Sequence, residues 1–281
     1  MNHVDIPPRP RLVKRHGIVV RVTHWINALC LGVLLMSGLQ IFNAHPALYL
    51  GSKSDFAAPV FAIDSRDVDG HAEGYTALLG HSVNTSGVLG LSSSDGRTVE
   101  RAFPSWLTLP SNQDLETGRH WHFLMAWLLV INGALYLLYG LVSRHFARDI
   151  VPDRRELAHT GRAIVDHAKL RFPHGDNARG YNVLQKLAYG AVIFVALPLI
   201  VVAGWCMSPG LDAAFPFLTT LLGGRQTART IHFAVAWGLV AFFVVHVAMV
   251  LLTGVFNNMR SMITGWFDVG EAKDGEATTN A

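Results

Sequence analysis

Cysteine is nearly absent: the 281-residue chain has two, Cys30 and Cys206, and neither belongs to a C-x-x-C-H segment. Covalent attachment of a c-type haem is thereby excluded. Each cysteine lies in a separate apolar span, near a different half of the membrane, so a disulfide between them is not expected. Charge is scarce as well, at 15% of residues against 51% hydrophobic. That composition indicates an integral membrane protein. A large excess of one charge sign is also missing, since the net charge is +3, and the distribution of charge is more informative than its size.

What the chain does have is apolar length. Four runs reach the roughly 20 residues that cross a bilayer: 22–42, 120–142, 185–206 and 230–254. The predicted fold class is all-α and integral to the membrane, a single four-helix transmembrane bundle with a long loop, 43–118, between the first two spans and a second, 144–183, between the next two. Lys and Arg number five before the first span proper (Arg9, Arg11, Lys14, Arg15, Arg21) and eight from Arg144 to Arg179. The 43–118 loop has four against nine acids, and 207–228 has only Arg225. By the positive-inside rule both termini and the 144–183 loop are cytoplasmic, and the other two loops face outside. The basic excess is thus topological and gives no reason to expect nucleic acid. A basic start followed by an apolar run is also the pattern of a signal peptide, but the run is too long and lacks a clear small-residue cleavage site, so it reads as a retained span.

The last span is the one that carries chemistry. It runs from Arg229 to Gly254 and holds His232 and His246. Ionisable groups inside a span are costly and usually face the bundle interior at a site. Fourteen residues at 1.5 Å each separate the two by roughly 21 Å along the axis, and 14 steps of about 100° return to within about 40° of one face. One helix therefore offers two imidazoles at different depths, each of which needs a partner from another span. The segment R-x-x-H-F-x-x-A-W occurs at Arg229–Trp237 and again at Arg119–Trp127, placing His122 beside His232; R-x-x-H recurs at Arg21–His24, and with the N-terminus inside His24 falls at the depth of His246 near the cytoplasmic face. His120 points roughly 200° away from His122, so only one of them faces the bundle. In each repeat the Arg lies one turn nearer the surface than the His, where Arg21, Arg119 and Arg229 could meet a carboxylate such as a haem propionate.

Zinc would want three or four protein ligands. Two opposed imidazoles leave four equatorial positions, which a porphyrin fills, so the reading is two non-covalent bis-histidine haem b groups on His24, His246, His122 and His232. Elsewhere, the tail up to about Lys14 and the segment after Gly254 are expected to fray. Residues 103–110 lead into the second span and read as an ordered cap over the outer site, with 64–100 either part of a docking surface or a mobile solvated loop; His71 and His81 in it read as surface residues. Asp153 to Phe172, opened by Pro152 and stopped by Pro173, reads as a helix on the membrane surface. Asn27, Gln185 and Lys186, at the inner membrane boundary, are candidates for bordering a quinone head group.

The His24-Trp25 opening, the R-W-H-F pattern of the second span and the histidines fourteen apart resemble the bacterial di-haem cytochrome b561-like family, whose members include membrane cytochrome b subunits of nickel-iron hydrogenase, formate dehydrogenase and thiosulfate reductase. The resemblance covers all four spans. It implies a multi-pass protein of the bacterial inner membrane that moves electrons between the quinone pool and a periplasmic redox enzyme. The 76-residue outer loop is longer than in the shortest members. With the F-P-x-W-L-T-L-P-S segment and the N-x-M-R-S-M tail, it resembles the branch that serves molybdopterin oxidoreductases of the sulfite-oxidase type. Two other functions remain open at this point: a self-sufficient quinone-linked oxidoreductase acting on a small oxidant or superoxide, and a transporter or proton channel lined by histidines.

Overall fold

The computed structural model describes residues 11–94, 96–169 and 180–270. Strand β1 (Leu12–Lys14) precedes the long helix α1 (Ile18–Asn43). Six short strands follow: β2 (Ala47–Leu48), β3 (Phe61–Val68), β4 (His71–Leu78), β5 (His81–Asn84), β6 (Gly90–Ser94) and β7 (Arg97–Arg101). Then come α2 (Leu115–Val142), a π-helical turn at Phe146–Ile150, α3 (Arg154–Ala158) and α4 (Thr160–Ala168). The third span is α5 (Val183–Ala191), a second π-helical turn (Val192–Ala196) and α6 (Leu197–Met207). Short α7 (Pro209–Ala214) and α8 (Pro216–Leu221) lead to α9 (Arg225–Leu252), α10 (Val255–Thr264) and β8 (Trp266–Asp268).

Four helices, Ile18–Asn43, Leu115–Val142, Val183–Met207 and Arg225–Leu252, are long and apolar enough to cross a membrane. The first two start four to five residues earlier than the apolar runs suggest, since Ile18 to Arg21 adds an apolar turn ending in Arg21 and Leu115 to Arg119 adds a polar one; α9 starts at Arg225 and stops at Leu252, just short of Gly254. Pro198 lacks an N–H and cannot complete the hydrogen-bond ladder one turn back, and the wide turn at Val192–Ala196 accommodates the break.

The chain divides into two compact units. One, the loop unit, comprises Ile26–Ala134 and Val195–Val240. Here the 43–118 loop is not a solvated coil. It folds into an antiparallel sheet of order β2-β3-β4-β5 and a separate β6-β7 hairpin. Two tight turns make the first sheet: Asp69-Gly70 (φ 54 and 79) and Leu79-Gly80 (φ 49 and 83), the left-handed pairs that match the twist of a two-residue hairpin. Leu39, Phe42, Leu48, Ile63, Ala102 and Phe103 form its core, with Phe42 stacked on Phe233 of α9 at 4.8 Å. Four polar residues of the first turns of α9, Gln226, Thr227, Arg229 and Thr230, clamp the incoming strand. Gly51 donates to Thr227 Oγ1 at 2.7 Å, and its carbonyl accepts from the Gln226 N–H at 3.0 Å. Thr230 Oγ1 donates to the Tyr49 carbonyl at 2.7 Å, and Arg229 Nη1 to the Ala47 carbonyl at 3.0 Å. Gly224 makes this approach feasible, since a Cβ there would sit 2.5 Å from the Gly51 backbone. Cys30 and Cys206 are free and buried.

The other, terminal unit comprises Met1–Trp25, Leu135–Phe194 and Ala241–Ala281. In it the expectation of fraying is overturned for the described residues 11–14 and 255–270. β1 pairs antiparallel with β8, Leu12 opposite Asp268 and Lys14 opposite Trp266. The reason is that the carbonyls at the end of α10 find donors in α1: Arg21 Nη1 reaches Ile263 at 2.6 Å and Trp25 Nε1 reaches Met262 at 3.2 Å. Arg15 lies over the Phe267 ring at 4.4 Å and closes the ribbon. The surface helix expected over 153–172 is broken at His159 into α3 and α4, with Asp153 and Glu156 forming a capping box; its far end, including Pro173, lies outside the described residues, as do residues 1–10 and the acidic end after Gly270.

Candidate functional site

Two histidine pairs form, each inside one unit. In the terminal unit His24 of α1 and His246 of α9 have ring centroids 6.3 Å apart and planes inclined by 55°. In the loop unit His122 of α2 and His232 of α9 stand 6.2 Å apart at 57°. Two metal–nitrogen bonds of about 2 Å, with about 1 Å more from each nitrogen to its ring centre, add to roughly 6 Å, so one metal ion fits between the members of each pair. Among the described residues no group of three or more His, Cys, Asp or Glu side chains is gathered that could hold a metal. Two imidazoles alone suit a metal that brings its own equatorial ligands, as the iron of a porphyrin does.

The proton positions in the loop-unit pair follow from its neighbours. Ser37 donates its hydroxyl proton to the Val33 carbonyl at 2.7 Å, so toward His122 Nδ1, 3.1 Å away, its oxygen accepts. His232 Nδ1 lies 2.9 Å from the Ile200 carbonyl, which only accepts. Both rings therefore carry their proton on Nδ1 and leave the Nε2 lone pair for a metal. Each also rests on glycine backbone. A Cβ on Gly38 would lie 3.4 Å from His122 Cε1, and one on Gly204 would lie 3.4 Å from His232 Cε1. Ser37, Gly38, Ile200 and Gly204 are the residues that sequence reading passes over, because small residues in spans read as helix packing and a backbone carbonyl leaves no trace in a sequence. In the terminal unit the tuning differs: His24 Nδ1 is buried without a hydrogen-bond partner, while His246 is stacked on Phe242 at 5.8 Å and met by Tyr189 at 6.2 Å.

The family of prokaryotic cytochrome b561 matches residues 15–265, a stretch that includes all four spans and all four histidines. The chain belongs to the prokaryotic cytochrome b561 family. It is a multi-pass membrane protein of haem b type, built for electron transfer. It is also 28% identical over 250 residues, 89% of this chain and 96% of the relative, to YedZ1 of Azospira oryzae, a protein named as a subunit of a protein-methionine-sulfoxide reductase.

The remaining predicted site residues of this cytochrome b561 lie in varied places. Arg119 is exposed, with its guanidinium 5.7 Å from the Phe123 ring. Arg229 is engaged by the Ala47 and His45 carbonyls, so it holds the chain that leaves α1 for the outer-loop sheet. Arg21 binds the Ile263 carbonyl through Nη1 and keeps Nε buried and unpartnered. His120 is exposed. The repeated aromatic positions differ in their contacts: Phe233 and Trp237 meet Phe42, Phe61 and Phe103 of the loop core, although Trp237 stays 42% exposed, whereas Phe123 and Trp127 are 44% and 53% exposed. The three groups expected to border a quinone each have a partner within the chain. Asn27 accepts from Asn132 at 2.7 Å, Gln185 completes a capping box with Asn182, and Lys186 pairs with Glu156 at 2.7 Å.

Proposed function

We propose that the chain is the membrane subunit of a two-component oxidoreductase, holding two haem b groups and carrying electrons between the membrane quinone pool and a periplasmic enzyme of the molybdopterin type. The observation that carries this reading is the near identity of the two histidine pairs, 6.3 Å at 55° and 6.2 Å at 57°. Haem b would supply a one-electron carrier. His24 with His246 and His122 with His232 would hold the two groups, and one continuous helix, Arg225–Leu252, contributes one histidine to each pair. Gly38 and Gly204 leave room against the rings, while Ser37 and Ile200 hold them in orientation. Arg119, exposed one turn before His122, is the candidate partner for a propionate.

The charge distribution supports an inner-membrane orientation with both termini cytoplasmic and the β-sheet on the periplasmic side. There the sheet presents Leu78, Leu79 and Val83, at 58%, 72% and 61% exposure, a face suited to a soluble partner. The relative's name supports a partner that reduces oxidised methionine, and hence electron flow from hydroquinone outward. Haem extraction from purified protein tests the stoichiometry: two haems per chain are expected, with b-type bands in the reduced-minus-oxidised spectrum. A ratio of one, or no b-type bands at all, overturns the reading.

A further inference from the structure

The terminal unit contains a buried histidine that no pairing above uses. His145 is 7% exposed; its Nδ1 is 2.7 Å from Asp149 Oδ2, and its Nε2 is buried with no hydrogen-bond partner. Asp149 in turn is held by Arg148 at 3.0 Å and is 35% exposed, so the pair has one end inside the protein and the other in water. Burial alone would raise the Asp149 carboxyl, but hydrogen bonds from Arg148 and His145 outweigh it and hold it below the usual carboxylate range. An ionised carboxylate only accepts, so the imidazole donates from Nδ1 and its Nε2 is a bare acceptor. Its missing partner must therefore be a donor.

The surroundings say what kind of donor. Rings of Tyr136, Tyr139 and Phe146 lie 6.2, 6.0 and 6.1 Å from the His145 ring. Phe146 abuts Gly140, where any Cβ would overlap it, and touches Phe194 at 5.0 Å; Phe194 is 43% exposed, midway along the third span. Aromatic contact thus runs from the lipid-facing surface to the imidazole. The backbone here is held in costly shapes: Arg144 is left-handed at φ 56, and Phe146–Ile150 is a π-helical turn. Such features persist where a site requires them. His16, buried and 3.4 Å from the Tyr181 hydroxyl, lies within electrostatic reach of both His145 and His24.

We propose that His145 and Asp149 are the proton-accepting pair for a hydroquinone whose ring hydroxyl donates to His145 Nε2, an inference that rests on the quinone-linked reading above. Oxidation of a hydroquinone to a quinone releases two electrons and two protons. A haem b held by His24 and His246 would take the two electrons one at a time. One proton moves from the bound ring hydroxyl to His145 Nε2, the imidazolium balanced by Asp149, and the Nδ1 proton then passes by way of Asp149 to water; the second proton, from the opposite hydroxyl of the ring, leaves directly to water.

The test uses the purified haem-loaded protein in detergent with a short-chain benzohydroquinone, comparing wild type, His145→Gln, Asp149→Asn and the surface control His159→Gln. His145→Gln should slow hydroquinone-driven reduction of the cytochrome about 100-fold, the scale of a lost general base. Asp149→Asn should slow it about tenfold, the scale of a lost orienting partner. Binding of the hydroquinone, followed by quenching of tryptophan fluorescence, should weaken about tenfold in His145→Gln, as expected for one lost hydrogen bond of about 1.4 kcal/mol. The dithionite-reduced spectrum should be the same in all four. Wild-type rates and binding in His145→Gln overturn the pair. Should His145→Gln lose its haem spectrum through misfolding, Asp149→Asn decides by its rate. If the wild type itself is reduced by dithionite and not by hydroquinone, the quinone-linked reading falls, which is a different result from failure of the pair.

Discussion

Ser37 decides which nitrogen of His122 is available to a metal: its hydroxyl proton is committed to Val33, and its oxygen takes the Nδ1 proton of His122 at 3.1 Å. An imidazole that donates from its remote nitrogen is a stronger electron donor to a bound metal. Ser37→Ala should therefore raise the midpoint potential of the loop-unit haem and weaken its retention about 10- to 100-fold. A spectroscopic redox titration, with haem loss followed over time, reads both. A potential unchanged from wild type would leave Ser37 as a packing residue only.

The four histidines should separate into two pairs by loss of haem. His122→Ala and His232→Ala are each expected to remove the same haem, and His24→Ala and His246→Ala the other, leaving half the wild-type content in each variant. His120→Ala should keep both, since His120 is exposed. Pyridine haemochrome content per chain is the measurement. Haem loss in His120→Ala with retention in His122→Ala would reverse the choice within α2.

How far the sequence carried this reading depends on the kind of signal. The spans and the histidine pairs were legible because helical periodicity fixes depth and face from spacing alone, and because R-x-x-H is written three times. The sheet in the outer loop was legible in part and passed over: Asp69-Gly70 between polar and apolar residues is a hairpin signal, yet Leu79-Gly80 is not, because leucine rarely adopts a positive φ. The ordered termini could not be read, since β1 and β8 are three residues each and exist through side chains of α1 that reach the end of α10. For Asn27, Gln185 and Lys186, sequence shows a polar group at the membrane boundary but not that Asn132, Asn182 and Glu156 already engage it.

Arg119 and Arg229 occupy the same position in the repeated segment, but truncating them should have different effects. Arg229→Ala removes two charge-assisted bonds to the carbonyls of His45 and Ala47, a loss on the order of 3 kcal/mol. Faster proteolysis between Leu48 and Phe61, with the haems still present, is the expected sign. Arg119→Ala breaks no such bond; removing its charge beside a ferric centre should lower the potential of the loop-unit haem by some tens of millivolts without changing proteolysis. Equal proteolysis of the two variants would remove the distinction.

His16 gives the protein an acid limit. Burial first, then the charges of Arg15, His24, His145 and Arg21, push its pKa from 6.5 down to about 4. The folded chain keeps this ring neutral where the unfolded chain protonates it, so between those values the unfolded state binds more protons and stability falls as pH falls. The contribution is complete above about pH 6.5 and absent below about pH 4, with an upper size of about 3 kcal/mol. His16→Gln, which cannot titrate, keeps a polar group near the Tyr181 hydroxyl that lies 3.4 Å from His16 Nδ1 in the wild type. It should be no more stable than wild type at pH 7.5 but lose less on acidification to pH 4.5. Thermal unfolding of both proteins across that range, followed at the haem band and by helical circular dichroism, gives the comparison. Parallel curves would assign the acid sensitivity to other groups.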